Sequence, residues 1–126
     1  MFMKIIHSNA APAAIGPYSQ AVEVGPFLYT SGQIPLTAAG DIVEGDISAQ
    51  VKQVFANLDA VLTEAKASRD QVVKATIFMT NLADFGVVNS ACETFFGDHK
   101  PARSTVQVAA LPRGVQVEIE LIVYKG

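Results

Sequence analysis

One arginine and two glutamates are the residues of this sequence best suited to small-molecule chemistry. Arg103 follows Lys100-Pro101-Ala102 at the start of a β-rich stretch, and Glu118 and Glu120 alternate with apolar residues in the last such stretch. A guanidinium can hold a carboxylate through two parallel hydrogen bonds, and a glutamate in a cleft can handle protons or activate water. These residues indicate an acidic small ligand. The alternative is a structural ion pair at an interface.

Three other segments offer groups that could line a pocket. In the stretch 14–20, a Gly-Pro turn precedes Tyr18, which could form a lid or pocket wall or could anchor an ordinary loop. In the stretch 30–35, Gly32 permits close approach of a ligand to the backbone, or it marks a bulge. Asn89 lies in a predicted helix, where it either reaches a cleft or faces solvent.

The composition argues against several classes of function. Half of the 126 residues are apolar, and nine basic against twelve acidic side chains give a net charge of −3. The basic residues are scattered singly, which argues against a nucleic-acid partner, and no apolar run is long enough to cross a membrane. Metal-ligand spacings and glycine-rich phosphate loops are missing from the sequence. We therefore expect a site without metal or cofactor, or a structural role.

The length predicts a single domain over residues 1–126, large enough to bury a hydrophobic core. The N-terminal Met-Phe-Met-Lys-Ile-Ile has too short an apolar run for a signal peptide. Cys92 is the one cysteine of the sequence, which forbids an internal disulfide and fits a reducing cytoplasm. Its place on an apolar helical stripe favours a buried, inert thiol.

Two stretches are predicted to be helices. The first begins at Ile47 after an Asp46 cap, and apolar residues then recur at helical spacing. The second runs from about residue 82 to 96, with Asn81 as its cap and Asp84 completing a loose capping box.

Four further stretches, 27–34, 72–80, 104–110 and 115–124, have the composition of strands. The last two flank a Leu-Pro-Arg-Gly turn signal, which predicts a hairpin. The order of elements predicts an α+β layer with two helices on one face of the sheet. The other face would carry Phe78, Ile122 and Tyr124 among polar groups, and we expect a homo-oligomer with wet clefts there.

The predicted hairpin also places the candidate residues. If Val106 packs under the helices, alternation puts Arg103, Thr105 and Gln107 on the other face together with Glu118. The hairpin register would set Arg103 about 13 Å from Glu118 along the strands. The two side chains could then share a small ligand only across a subunit boundary.

The sequence resembles the RidA (YjgF/YER057c/UK114) family of imine and enamine deaminases over nearly its whole length. The motifs that carry the resemblance are Ala-Ile-Gly-Pro-Tyr-Ser-Gln at 14–20, Ser-Gly-Gln-Ile-Pro at 31–35, Pro-Ala-Arg-Ser at 101–104 and Val-Glu-Ile-Glu at 117–120. The resemblance implies a chorismate-mutase-like α+β fold with a mixed sheet, and a homotrimer whose sites lie between subunits. No metal or organic cofactor is implied.

The family pattern also implies residue roles and a reaction. Arg103 would hold the substrate carboxylate, Glu118 would orient or activate water, and Tyr18 would line the pocket. The remaining substrate contacts would be Ser31, Gly32, Asn89 and Thr105, the last at a position where many relatives carry cysteine. The implied reaction converts 2-iminopropanoate or 2-iminobutanoate, formed from 2-aminoacrylate-type enamines, to a 2-oxo acid and ammonia. The alternative is a non-catalytic trimer that binds 2-oxo acids or other proteins.

Overall fold

A computed structural model describes residues 3–126 of the chain; residues 1 and 2, part of the N-terminal stretch considered above, lie outside the described residues. The fold is α+β, with one six-stranded mixed sheet and two α-helices on one of its faces. Short 3₁₀ turns precede β4 and α2 and lie between β5 and β6. The elements are β1 (Met3–Ile6), β2 (Ala21–Val24), β3 (Phe27–Thr30), α1 (Ile47–Glu64), β4 (Val72–Met79), α2 (Phe85–Phe96), β5 (Ala102–Gln107) and β6 (Val117–Tyr124).

The first helix starts where the sequence predicts. The Asp46 side chain accepts a hydrogen bond from the Ala49 amide at 2.9 Å, which satisfies one of the unpaired amides of the first turn. Apolar residues at helical spacing bury one face of α1 against the sheet. The residues of that face are Val51, Val54, Phe55, Leu58, Val61 and Leu62. Within residues 3–126, neither helix is long and apolar enough to cross a membrane.

The second helix begins later than predicted. Asn81 does act as a cap, but its side chain accepts from the Ala83 amide and so heads a 3₁₀ turn over residues 82–84. Asp84 makes no capping hydrogen bond, so the predicted capping box is wrong. The α-helix therefore starts at Phe85. Gly97, at φ 62°, ends it in a conformation that favours glycine.

The strands are also shorter or more numerous than predicted. β1 and β2 were not predicted, and β3 ends at Thr30 instead of continuing to residue 34. A register shift between Val72 and Lys74 leaves Val73 exposed, so buried and half-buried side chains alternate regularly only from Lys74 onward.

The main departure from prediction is the place of β4. The sheet order is β1-β2-β3-β6-β4-β5, so β4 lies between the two strands that were predicted to form a hairpin. β4 pairs parallel with β5 and antiparallel with β6. The turn signal at 112–114 is real, with Arg113 and Gly114 both at positive φ. The whole segment 108–116, however, is long enough to step over one strand, and the hairpin prediction is therefore wrong.

This topology reverses the predicted face of β5. Arg103, Thr105 and Gln107 lie on the face that the helices cover, because their β4 partners are buried there. Those partners are Ala75, Ile77 and Met79. Val106, which was predicted to point inward, is 42% exposed on the other face. An edge strand can leave an apolar residue outside the core, and periodicity alone could not show that β5 is an edge.

The face without helices is mixed in character, as predicted. Glu118 pairs with Phe78, and Glu120 with Thr76, on this open face. Its exposed or half-buried apolar side chains include Ile5, Phe27, Tyr29, Phe78, Val106, Ile122 and Tyr124. Exposed apolar side chains that lie next to one another in this way are typical of interaction surfaces. It fits association with further copies of the chain, and the trimer stays a prediction.

A buried asparagine ties α1 to the loop that follows β3. Asn57 is fully buried, and its amide nitrogen donates to the carbonyls of Ile34 at 3.2 Å and Leu36 at 2.9 Å. Its side-chain oxygen accepts from Gln53 at 2.9 Å. These bonds supply a donor to the Leu36 carbonyl and a second donor to the Ile34 carbonyl, which also accepts from the Leu36 amide at 2.7 Å.

Replacing Asn57 by alanine should therefore destabilise the fold. We expect Asn57→Ala to lower the free energy of unfolding by about 1–3 kcal/mol, because the Leu36 carbonyl loses its side-chain donor and the Gln53 amide loses its acceptor. Urea unfolding at a fixed protein concentration measures the change. Asn9→Ala is the matched control. Asn9 is exposed, and its side chain forms a hydrogen bond with the side chain of His7, which is exposed as well. Equal stabilities of the two variants would contradict the role assigned to Asn57.

Candidate functional site

Arg103 extends from β5 toward α2. Its Nη1 donates to the side-chain oxygen of Asn89 at 2.8 Å, and its guanidinium carbon lies 5.2 Å from the centre of the Phe85 ring. Among residues 3–126 it forms no salt bridge; the two ion pairs found there join other residues. The alternative of an ion pair at an interface concerns two chains and stays a prediction. The remaining guanidinium N–H groups can receive an anion.

A groove opens beside the arginine. It encloses about 390 Å³ and is bordered by Asn89, Cys92, Arg103 and the residues that follow α2. The Cys92 thiol is buried, as predicted, and burial raises its pKa although the charge of Arg103 acts in the opposite direction. Thr105 lies two residues beyond Arg103 on the same face, and its buried hydroxyl has no hydrogen-bond partner within residues 3–126. The groups that contact the guanidinium, Asn89 and Phe85, are thus uncharged, although Glu93 and Lys100 also line the groove.

A second candidate site lies where Gly32 contacts Glu118. A methyl group at Gly32 would overlap the Glu118 carboxylate, so only glycine fits at this position without a shift. The contact is fixed by two backbone hydrogen bonds between Gln33 and Ile119, of 2.8 and 3.2 Å. Gly32 is therefore the point where the chain passes directly over the carboxylate. The alternative interpretation of Gly32 as a simple bulge explains less of this packing.

Tyr18 and Ser31 lie with Gly32 around a small cavity of about 60 Å³. The loop that carries Tyr18 is anchored by Gln20, a buried residue that sequence reasoning did not single out. The Gln20 side chain accepts from the Ser8 amide and donates to the carbonyls of Ser8 and Pro12. The sequence does contain a signal for this anchor. Gln20 stands directly before a strand, in a segment with few other polar side chains that could hold the loop.

The Ser31 hydroxyl is used by the fold itself. It donates to the Ser19 carbonyl, and the Ser31 amide donates to the Gln20 carbonyl at 2.9 Å. Only the lone pairs of the hydroxyl remain for a ligand. Tyr18, in contrast, is 52% exposed, so its ring can contact a molecule outside the chain.

The Glu118 carboxyl is held in an unfavourable environment for a charge. Burial and, to a smaller extent, the neighbouring carboxylate of Glu120 raise its pKa. Such a group holds its proton to higher pH than an ordinary glutamate does. A raised pKa brings a carboxyl closer to the pH range in which general acid–base catalysis is efficient.

The two groups do not meet within one chain. Arg103 aligns with Leu121 and Glu118 aligns with Val106 across β4, so the two positions are three rows and two strands apart, about 14 Å. Arg103 also lies on the helix-covered face and Glu118 on the open face. The sequence prediction that they are too far apart to share a small ligand within one chain holds, although its hairpin register was wrong. A group of three His, Cys, Asp or Glu side chains able to hold a metal is not found in the described part of the chain.

Known proteins match this chain over nearly its whole length, both in sequence and in structure. Residues 8–125 match the family model described as Endoribonuclease L-PSP. The chain is 46% identical to the mouse (Mus musculus) 2-iminobutanoate/2-iminopropanoate deaminase, covering 98% of this chain and 92% of that protein. It superposes on RidA from the Antarctic bacterium Psychrobacter with a TM-score of 0.92, 44% identity and coverage of 96% and 98%. It superposes on E. coli TdcF with bound serine with a TM-score of 0.93, 40% identity and coverage of 98% and 99%.

The raised pKa of Glu118 predicts a pH-dependent effect on stability. Because folding raises this pKa, the unfolded chain loses the proton first, and stability falls as pH rises from about 4.3 through the folded-state value. Glu118→Gln removes that cost, so we expect a higher free energy of unfolding than wild type at pH 7 and little gain at pH 4.

Urea unfolding at both pH values measures the difference. Glu44→Gln is the control, because Glu44 is exposed, and it should behave like wild type at both. A Glu118→Gln protein that is no more stable than wild type at pH 7 would show that the buried carboxylate carries no such cost.

Proposed function

Because the chain belongs to the Rid (L-PSP) family, we propose that it is a deaminase of 2-imino acids. Its substrates are 2-iminopropanoate and 2-iminobutanoate, and its products are the 2-oxo acids and ammonia. The catalytic unit is a homotrimer in which Arg103 of one copy faces Glu118 of the next. The observation that carries the proposal is an arginine without a carboxylate partner in residues 3–126, beside an open groove.

The arginine suits the shared feature of these substrates. Every 2-imino acid carries a carboxylate next to the C=N carbon, so a guanidinium that grips the carboxylate also fixes the position of C2. Fixing C2 near a water molecule turns a random encounter into an oriented attack, which can supply much of the rate enhancement. TdcF, whose structure was solved with bound serine, is a relative that binds a molecule with the same carboxylate group.

Glu118 supplies the proton transfers. Its carboxylate takes a proton from water as the oxygen adds to C2 and the C=N bond becomes a C–N bond. It delivers that proton to nitrogen, which gives the neutral carbinolamine. The carboxylate then takes the hydroxyl proton and delivers it to nitrogen as well, so that ammonia leaves with the electron pair of the C–N bond as C=O forms. The raised pKa of Glu118 favours both halves of this exchange. Tyr18 and Gly32 form the wall around the reacting carbon, and Thr105 lies on the arginine side.

A second candidate function uses the same residues without chemistry. A trimer that binds 2-oxo acids and reports their concentration also needs Arg103 and an open groove. The rest of such a pocket would be the exposed Tyr18 ring and the lone pairs of the Ser31 hydroxyl, whose proton is donated to the Ser19 carbonyl. The two functions differ in turnover, and one assay separates them.

The direct test follows the decay of an imine. An amino-acid oxidase generates 2-iminobutanoate from 2-aminobutanoate, and the remaining imine is trapped and quantified over time. We expect wild type to accelerate its loss and Arg103→Ala to lower kcat/KM at least about a hundredfold, because the carboxylate loses its partner and C2 is no longer held near the water. Arg113→Ala is the matched control, because Arg113 donates to the Gly40 carbonyl in a distant loop.

The outcomes separate the candidates. Wild type that binds 2-oxobutanoate but leaves the imine decay at its spontaneous rate supports the binding module and ends the deaminase proposal. Loss of activity in Arg113→Ala as well as Arg103→Ala would indicate a general sensitivity to lost charge instead of a role at the site.

The shared site makes a separate prediction. Arg103→Ala and Glu118→Gln should each be nearly inactive, yet trimers assembled from both should regain activity. In a trimer that contains both variants, about a third of the sites pair an intact arginine with an intact glutamate. Co-expression with two different tags and purification on both yields mixed trimers for the assay. No recovery in verified mixed trimers would place both residues in one chain or remove one of them from the site.

A further inference from the structure

We propose that one face of α2 is an uncharged cradle that positions Arg103, and that Phe85 is a positioning residue within it. This inference deepens the proposed function and rests on it. The cradle consists of Phe85, Asn89 and Cys92, which recur at i, i+4 and i+7 and therefore lie along one side of the helix. Its role is to hold the guanidinium ready for a carboxylate without neutralising it.

The contacts of the arginine define the cradle. The Phe85 ring lies 5.2 Å below the guanidinium carbon, within the range of a cation–π interaction. Asn89 accepts one N–H at 2.8 Å from the side. The Cys92 thiol lies close enough to be influenced by the charge of Arg103. Since Arg103 itself is exposed, these contacts with α2 are what limit its conformations.

The orientation of the asparagine is itself fixed. The Asn89 nitrogen donates to the Glu93 carboxylate at 3.2 Å, one helical turn further on, which turns the side-chain oxygen toward Arg103. Glu93 thereby acts on the arginine through a neutral amide instead of forming a salt bridge with it. A carboxylate in the place of Asn89 would compete with the carboxylate of a substrate.

The uncharged character of the cradle has a physical purpose. A long arginine side chain loses considerable rotamer freedom when it binds a ligand, and a side chain that is already oriented loses less on binding. A salt bridge would orient it too, but would use the same N–H groups that the substrate needs. An aromatic face and an amide oxygen orient the cation and leave its charge available.

A graded change in the ring tests this directly. Phenylalanine analogues with one, two or three ring fluorines at position 85 weaken the negative face of the ring while changing its size little. Two readouts apply to the intact trimer: the order of the Arg103 Nε–H group by NMR relaxation, and the dissociation constant for 2-oxobutanoate by calorimetry. We expect the Nε–H order to fall stepwise and the dissociation constant to rise by about two- to fivefold across the series.

Activity gives a further readout that a purely structural role would not produce. Across the series we expect KM for the imine to rise while kcat changes little, because the arginine binds the carboxylate in the ground state and transition state alike. Phe85→Tyr retains an aromatic face and should retain binding. Val87→Ala is the control on the same helix, since Val87 is exposed and lines a groove on the other side of α2.

Each outcome decides one question. Arg103 order and 2-oxobutanoate affinity that stay constant across the fluorinated series would overturn the cradle, whatever the enzyme does. An equal loss of Arg103 order and 2-oxobutanoate affinity in Val87→Ala would also overturn it, because such a loss would indicate a general loosening of α2. Failure of wild type to accelerate imine decay ends the deaminase proposal alone, because the NMR readout needs no turnover.

Discussion

The position of β4 between β5 and β6 is the constraint from which the arrangement of this molecule follows. It places the arginine strand at the edge of the sheet and the glutamate strand near the centre, with the two side chains on opposite faces. Each chain therefore presents two separate groups, one around Arg103 beside α2 and one around Glu118 beneath Gly32. A single sheet cannot bring residues on opposite faces to one small ligand, so chemistry that needs both groups needs two chains.

Both groups are electrostatically incomplete. Arg103 has an amide oxygen and an aromatic ring as neighbours where a carboxylate would give a stronger pairing. Glu118 is half-buried next to another glutamate, without a cationic partner among the causes that set its pKa. Each arrangement sacrifices stability that a simple ion pair would provide. Incomplete groups of opposite charge on two faces are the arrangement expected when the missing partner is a ligand or another copy of the chain.

Much of the fold could be predicted from local sequence patterns, because helix caps, helix faces and helix ends are determined by residues close together in the sequence. The Asp46 cap, the buried face of α1 and the end of α2 at Gly97 depend on residues within a few positions of each other. The pairing of β5 with β4 was not predictable in this way, since strand order depends on where the chain returns after α2. The prediction for Arg103 was affected as well. Its face of the sheet was inferred by alternation from Val106, which was wrongly expected to point toward the helices. The choice of Arg103 and Glu118 as candidates is independent of this error and stays a prediction, because it rested on chemistry and on motif resemblance, neither of which depends on strand order.

The open face links association to the proposed chemistry. Its aromatic side chains Phe27, Tyr29 and Tyr124 are partly exposed, and the ring centre of Phe27 lies 6.2 Å from that of Tyr29 and 5.3 Å from that of Tyr124. Burying such a surface between copies is favourable in proportion to the apolar area removed from water. Glu118 and Glu120 lie on the same face, so the association that buries the aromatic residues also changes the surroundings of the carboxylates. On the proposed shared site, assembly and catalytic competence are therefore one event, and activity per chain should depend on the fraction of chains that are assembled.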